Sequence, residues 1–119
     1  MAGFTVFGYS RCSTCRKALL WLENEGFDFE VIDITLNPPS ADQLHQAYRQ
    51  FGEVKPIFNT SGQSYRAIGA ETVKKMSDEQ ALQALAADGK LIKRPFVQCP
   101  DGRFLIGFKP EVWSEQLLS

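Results

Sequence analysis

The residues of this chain best suited to chemistry are two cysteines, Cys12 and Cys15, separated by Ser13-Thr14. At C-x-x-C spacing, two thiols can be exchanged for one internal disulfide, with the first sulfur in position to attack. Before the pair runs Phe4-Thr5-Val6-Phe7-Gly8-Tyr9, rich in β-branched and aromatic residues. After it runs Arg16-Lys17-Ala18-Leu19-Leu20-Trp21-Leu22, with apolar residues at helical spacing. A strand-to-helix junction there sets Cys12 near a helix N-terminus, where unpaired N–H groups and the helix dipole stabilise negative charge on sulfur. Arg11, Arg16 and Lys17 either add positive charge to the site or point into solvent. A redox pair is favoured over structural or incidental cysteines and over a metal site.

Several elements must position this pair. Residues 4–9 and 27–34 are strand candidates, and the imperfect alternation of the second suits two partly buried faces better than one wet side. Between them Ala18, Leu19, Trp21 and Leu22 form a helical stripe that ends before Gly26. Pro38-Pro39 closes the second strand. Ser40-Ala41-Asp42-Gln43 has the form of a capping box, opening a helix with Leu44, Ala47, Tyr48 and Phe51 on its buried face and Gly52 as its stop. Ser77-Asp78-Glu79-Gln80 is a second such box, followed by Ala81, Leu82, Leu85 and Ala86. A short helix is expected over residues 70–76. Residues 103–108 suggest a hairpin strand reached through Pro100-Asp101-Gly102, and Pro110 suits the first turn of a final helix carrying Val112, Trp113 and Leu117. The expected architecture is one α/β domain over residues 1–119, with a mixed sheet and a helical insertion over approximately 39–88.

With 119 residues the chain has room for a single modest core. Thirteen basic and fourteen acidic residues leave a formal charge of -1, which gives no gross electrostatic case for direct nucleic-acid binding. No apolar run is long enough to span a membrane, and no charged start leads into a signal-like stretch, so a cytoplasmic location and no membrane partner are expected. Three cysteines make no even structural framework.

The run Phe7-Gly8-Tyr9-Ser10-Arg11-Cys12-Ser13-Thr14-Cys15-Arg16-Lys17-Ala18 resembles the arsenate reductase-like family, which has a thioredoxin-like fold. Three further segments carry the same resemblance: Phe58-Asn59-Thr60-Ser61-Gly62, Asp88-Gly89-Lys90-Leu91-Ile92-Lys93-Arg94-Pro95-Phe96-Val97 and Ile106-Gly107-Phe108-Lys109-Pro110. Together they cover almost the whole chain. The chain is especially similar to the branch containing bacterial transcription regulators that sense disulfide stress.

The resemblance implies that Cys12 is the nucleophile and Cys15 its resolving or switch partner. It implies that Arg94 stabilises an anion or thiolate, with a structural or partner-facing salt bridge as the other reading. It also implies a cis peptide before Pro95, facing the cysteine loop. In glutaredoxin-dependent arsenate reductases, arginines occupy the places of Lys109 and of Asn59 or its neighbour. Lys109 keeps the charge but lacks the planar fork suited to an oxyanion. Cys15 replaces a serine of that branch, which makes an internal Cys12–Cys15 disulfide the more natural chemistry.

Two functions are in competition. The first is a small thiol–disulfide oxidoreductase or arsenate reductase, with no bound cofactor and with electrons from glutathione, glutaredoxin or the thioredoxin system. The second is a redox-responsive regulator that binds the C-terminal domain of the RNA polymerase α subunit, with Gly52 as a possible partner contact besides its helix-stop role. Cys99 is read as a partly buried thiol rather than a third redox cysteine, and His45 as a surface or packing residue rather than a zinc ligand. Asn59-Thr60-Ser61-Gly62 is read as a turn, and Tyr65-Arg66 receives no role.

Overall fold

The computed structural model describes residues 3–118. Contacts divide the chain into two compact units, one made of its two ends and the other of residues 34–93.

In the first unit the order is β1 (Phe4–Gly8), α1 (Ser13–Asn24), β2 (Phe29–Asp33), then β3 (Phe96–Gln98), β4 (Phe104–Ile106) and α6 (Pro110–Leu118). The four strands form one sheet in the order β2-β1-β3-β4. β1 pairs with β2 in parallel, Val6 opposite Val31, and with β3 antiparallel, Val6 opposite Val97. β3 and β4 are antiparallel, with Val97 opposite Leu105. A βαβ half joined to a β-hairpin and a closing helix in this order is the thioredoxin-like arrangement expected from the sequence.

The register explains which residues form the core. Phe4, Val6, Val97 and Leu105 cluster with Ala18 and Leu22 of α1 and with Trp113 of α6. Trp113 is buried and spends its one polar atom well, its indole Nε1–H donating to the Gly107 carbonyl at 3.2 Å. Its ring meets Phe108 at 4.8 Å and Trp21 at 5.7 Å between centroids. The alternate positions Phe7, Phe96 and Phe104 are also buried and meet in a row across the sheet, the first pair edge to face at 5.9 Å and the second tilted at 5.3 Å. β2 departs from expectation. Phe29, Ile32 and Asp33 are half-buried, but Glu30 and Val31 are exposed, so neither face of this edge strand is fully covered.

The second unit contains α2 (Ala41–Phe51), α3 (Gln63–Ile68), α4 (Ala70–Lys74) and α5 (Asp78–Ala87), with single 3-10 turns at Lys55–Ile57 and Gly89–Leu91. Both capping boxes form. Ser40 Oγ accepts from Gln43 N–H at 3.1 Å while Gln43 Oε1 accepts from Ser40 N–H at 2.9 Å, and Ser77 and Gln80 repeat the pair at the same two distances. α3 had no counterpart in the sequence reading. Its N-cap, Gly62, offers no side-chain cap, and six residues are too few to show a periodic stripe. α2 and α5 are tied at the surface by Tyr48 Oη donating to Asp78 at 2.6 Å and by His45 Nε2 donating to Glu79 at 3.0 Å.

Two stability predictions follow from this unit. A Cβ on Gly89 would overlap the main-chain carbonyl of Ile34. Backbone cannot rotate away as a side chain can, so Gly89→Ala should cost more than about 2 kcal/mol, read from the urea unfolding midpoint. His45 is held above its ordinary pKa by its bond to the Ala41 carbonyl and then by Glu79. A raised folded-state value means stability that is present below the unfolded pKa of about 6.5 and is lost as pH rises through the folded one. The gap in urea midpoint between the natural chain and His45→Gln should therefore narrow from about pH 6 to about pH 8, a small change because both groups are exposed.

Candidate functional site

The first unit brings the cysteine loop and the Arg94-Pro95 segment together around one residue, Tyr9. The chain leaves β1 at Gly8 and turns through Ser10 and Arg11, and the turn is closed by Cys12 N–H donating to the Tyr9 carbonyl at 3.0 Å. Arg16 latches the same loop, its Nη1 donating to the Ser10 carbonyl at 3.1 Å. Of the three neighbouring cations, Arg16 thus has a loop-building contact, while Arg11 and Lys17 are exposed.

Cys12 is the N-cap of α1, with an extended backbone at φ -88° and ψ 112°. Its sulfur takes the place that a serine or aspartate oxygen usually fills, accepting the Cys15 backbone N–H at 3.2 Å. The first turn of α1 contains no acidic residue to compete with charge at that sulfur. Cys12 is half-exposed, whereas Cys15, one turn on, is 1% exposed. Gly8 of β1 lies against it: a Cβ there would sit 3.4 Å from Cys15 Sγ, in ordinary contact.

Burial first, and then its hydrogen bond to the Cys12 side chain, push the Cys15 thiol up to about 12. A main-chain bond from Tyr9 and the charge of Arg94 act in the opposite direction without prevailing. The Arg94–Pro95 peptide is cis, as the resemblance implies. Pro95 is buried, and its carbonyl accepts Gly107 N–H at 2.9 Å. The Arg94 guanidinium lies over the Tyr9 ring, 5.4 Å from its centroid. Sequence reasoning left Tyr9 without a role, although an aromatic immediately before the cysteine loop was the available signal.

Chemically, the arrangement offers a half-exposed sulfur at a helix N-terminus with a buried thiol hydrogen-bonded behind it. Such a pair can form a mixed disulfide and then close an internal one.

The other candidates lie elsewhere. Cys99 is buried in the core cluster, where its main chain closes the β3–β4 turn with Arg103 and Gly102. Burial, and then Asp101, push its thiol up to about 11. Gly52 belongs to the second unit, where it ends α2 in the left-handed conformation, φ 79°, with its N–H on the Tyr48 carbonyl at 2.8 Å. That geometry by itself accounts for a glycine. Asn59 organises its own turn, accepting from Ser61 Oγ at 3.2 Å. Lys109 is exposed, and its carbonyl accepts Trp113 N–H at the start of α6. Among the described residues no cluster of His, Cys, Asp or Glu has the form of a metal site, and no helix is long and apolar enough to cross a membrane.

A thioredoxin-like fold with a C-x-x-C pair at the head of α1 and a cis proline in the same unit defines a class of thiol-active proteins. The ArsC family model matches residues 7–116, and the chain belongs to this family. It is 41% identical over 114 residues to the Bacillus subtilis protein YusI, covering 93% of this chain and 95% of that one. It is 30% identical to an arsenate reductase of Acidiphilium multivorum, over 86% of this chain and 72% of the relative. It is 28% identical to the global transcriptional regulator Spx of Streptococcus pyogenes, over 90% and 79% of the two chains. Among solved structures, an ArsC family related protein from Bacteroides fragilis superposes with a TM-score of 0.87 at 34% identity, covering 96% of this chain and 97% of that one.

The contrast among the three thiols predicts their labelling. With reduced native protein at about pH 8, iodoacetamide should modify Cys12 alone, and all three cysteines only in denaturant, because thiolate and access are both needed. Peptide mass spectrometry reads the outcome.

Proposed function

We propose that the chain is a thiol–disulfide oxidoreductase of the ArsC family, with Cys12 as the nucleophile and Cys15 as the resolving cysteine. The observation that carries this reading is the asymmetry of the pair: one sulfur half-exposed at the α1 N-cap, the other buried and held as a thiol behind it. Cys12 thiolate attacks a substrate disulfide, forming a mixed disulfide and expelling one substrate thiolate. Cys15 then attacks the Cys12 sulfur, forming the internal disulfide and releasing the second substrate thiolate. An external thiol donor, either glutathione or the glutaredoxin or thioredoxin system, returns two electrons and two protons to the pair. The protein itself needs no bound cofactor and acts in the cytoplasm.

Arg94, whose guanidinium lies over the Tyr9 ring at the start of the loop, is a cation suited to hold an oxyanion or a thiolate. The likeness to an arsenate reductase admits an arsenate adduct on Cys12 within the same scheme. A lysine at 109 and an asparagine at 59 supply no guanidinium fork, which favours disulfide over arsenate as the oxidant.

A second reading rests on the likeness to Spx. Oxidation of Cys12 and Cys15 would alter the surface at the head of α1 and so change binding to the C-terminal domain of the RNA polymerase α subunit, with Gly52 on the contact surface.

Donor-coupled turnover of a small disulfide tests the first reading. Cys12→Ser should abolish turnover, a loss beyond about a hundredfold, because the hydroxyl cannot replace thiolate as nucleophile. Cys15→Ser should instead trap a Cys12 mixed disulfide, visible as a mass adduct. Turnover surviving Cys12→Ser would overturn the reading. Calorimetric titration of the reduced and oxidised protein into the polymerase domain separates the second reading, which requires binding that changes with redox state.

A further inference from the structure

Tyr9 has no part in the scheme above, yet three contacts of the site meet on it. Its carbonyl fixes the Cys12 N–H at 3.0 Å. Its main chain bonds the buried Cys15 thiol. Its ring lies under the Arg94 guanidinium, 5.4 Å from centroid to Cζ. The first two belong to the backbone and are indifferent to side-chain identity. The third depends on the ring alone. The aromatic face gives this long side chain a fixed surface to rest on at the start of the loop.

We infer that Tyr9 is a positioning residue for the second step of the cycle: its ring holds the Arg94 guanidinium at the start of the cysteine loop and so speeds closure of the Cys12–Cys15 disulfide. This rests on the reading that Cys15 resolves the mixed disulfide. In that step Cys15 gives its proton to solvent and its sulfur attacks Cys12. The Cys12–Cys15 bond forms, the Cys12–substrate bond breaks, and the substrate thiolate leaves with the electron pair. The substrate disulfide is the oxidant and the cysteine pair is oxidised by two electrons. Cys15 reacts only as thiolate, and burial and the Cys12 side chain both oppose that form. The groups that favour it are the Tyr9 main chain and Arg94. A guanidinium free to swing into solvent would lose much of its influence to screening.

The contact uses the ring face and not the hydroxyl, so phenylalanine should serve and leucine should not. The test uses the full chain and an aromatic disulfide whose thiolate absorbs in the visible. The first burst of colour reports attack by Cys12, and the second reports attack by Cys15. Tyr9→Leu should slow the second phase about two- to fivefold, the range of an exposed cation–π contact, and move its pH profile upward. The far-ultraviolet circular dichroism spectrum and the urea unfolding midpoint provide the control for folding. Tyr9→Phe should restore the second phase, and in an Arg94→Gln background Tyr9→Leu should change nothing further. An unaltered second phase in Tyr9→Leu, or an equal slowing with and without Arg94, would overturn the role of Tyr9 while leaving the oxidoreductase reading intact. If the natural chain shows no second phase at all, the resolving role of Cys15 falls and this inference with it.

Discussion

The site depends on a single substitution of roles at the start of α1, where a cysteine sulfur does the work of a capping oxygen. Cys12 occupies the N-cap, and its Sγ accepts the backbone N–H of Cys15 at 3.2 Å. The requirement for this geometry reaches in both directions. Upstream, the turn from β1 must return the Cys12 N–H to the Tyr9 carbonyl, which places the sulfur at the mouth of the helix and not along its side. Downstream, helical periodicity turns Cys15 inward to the core face shared by Ala18 and Leu22. Exposure of one sulfur and burial of the other are thus consequences of one helix start.

That asymmetry shapes the chemistry. A sulfur at a helix N-terminus meets N–H donors and the positive end of the dipole, while a thiol packed against Gly8 in the sheet is almost wholly withdrawn from water. The two halves of a thiol–disulfide cycle then face different physical problems. The first is access for a substrate. The second is the creation of a charge in an apolar setting, where a nearby guanidinium has greater influence than it would have in water. The cis Arg94–Pro95 segment supplies that guanidinium, and the Tyr9 ring gives it a surface to rest on.

Much of the architecture was legible in the residues. The capping boxes at Ser40 and Ser77 are local patterns whose donors and acceptors lie within four residues, so their geometry follows from sequence. The same holds for Pro110 at the first position of α6 and Gly52 at the end of α2. α3 escaped notice because a six-residue helix capped by Gly62 carries neither periodicity nor a side-chain cap. The exposure of Val31 escaped notice for another reason: strand content does not say which faces of a strand other elements will cover.

The candidate site shows the same division. The C-x-x-C pair and its place at a strand-to-helix junction are written in the spacing, since four adjacent residues and the periodicity around them suffice. The identity of Cys12 as the exposed sulfur follows from that junction. The meeting of Arg94 with Tyr9 does not, because 85 positions of chain separate them, from 9 to 94, and no local pattern encodes the pairing. It required β3 to lie antiparallel beside β1, which sets the residues just before β3 next to those just after β1. Sequence by itself determined the reactive pair and the helix that presents it, through interactions spanning a few residues. Tertiary structure alone decided which cation and which ring stand over that pair, because strand pairing, and not sequence proximity, sets long-range neighbours.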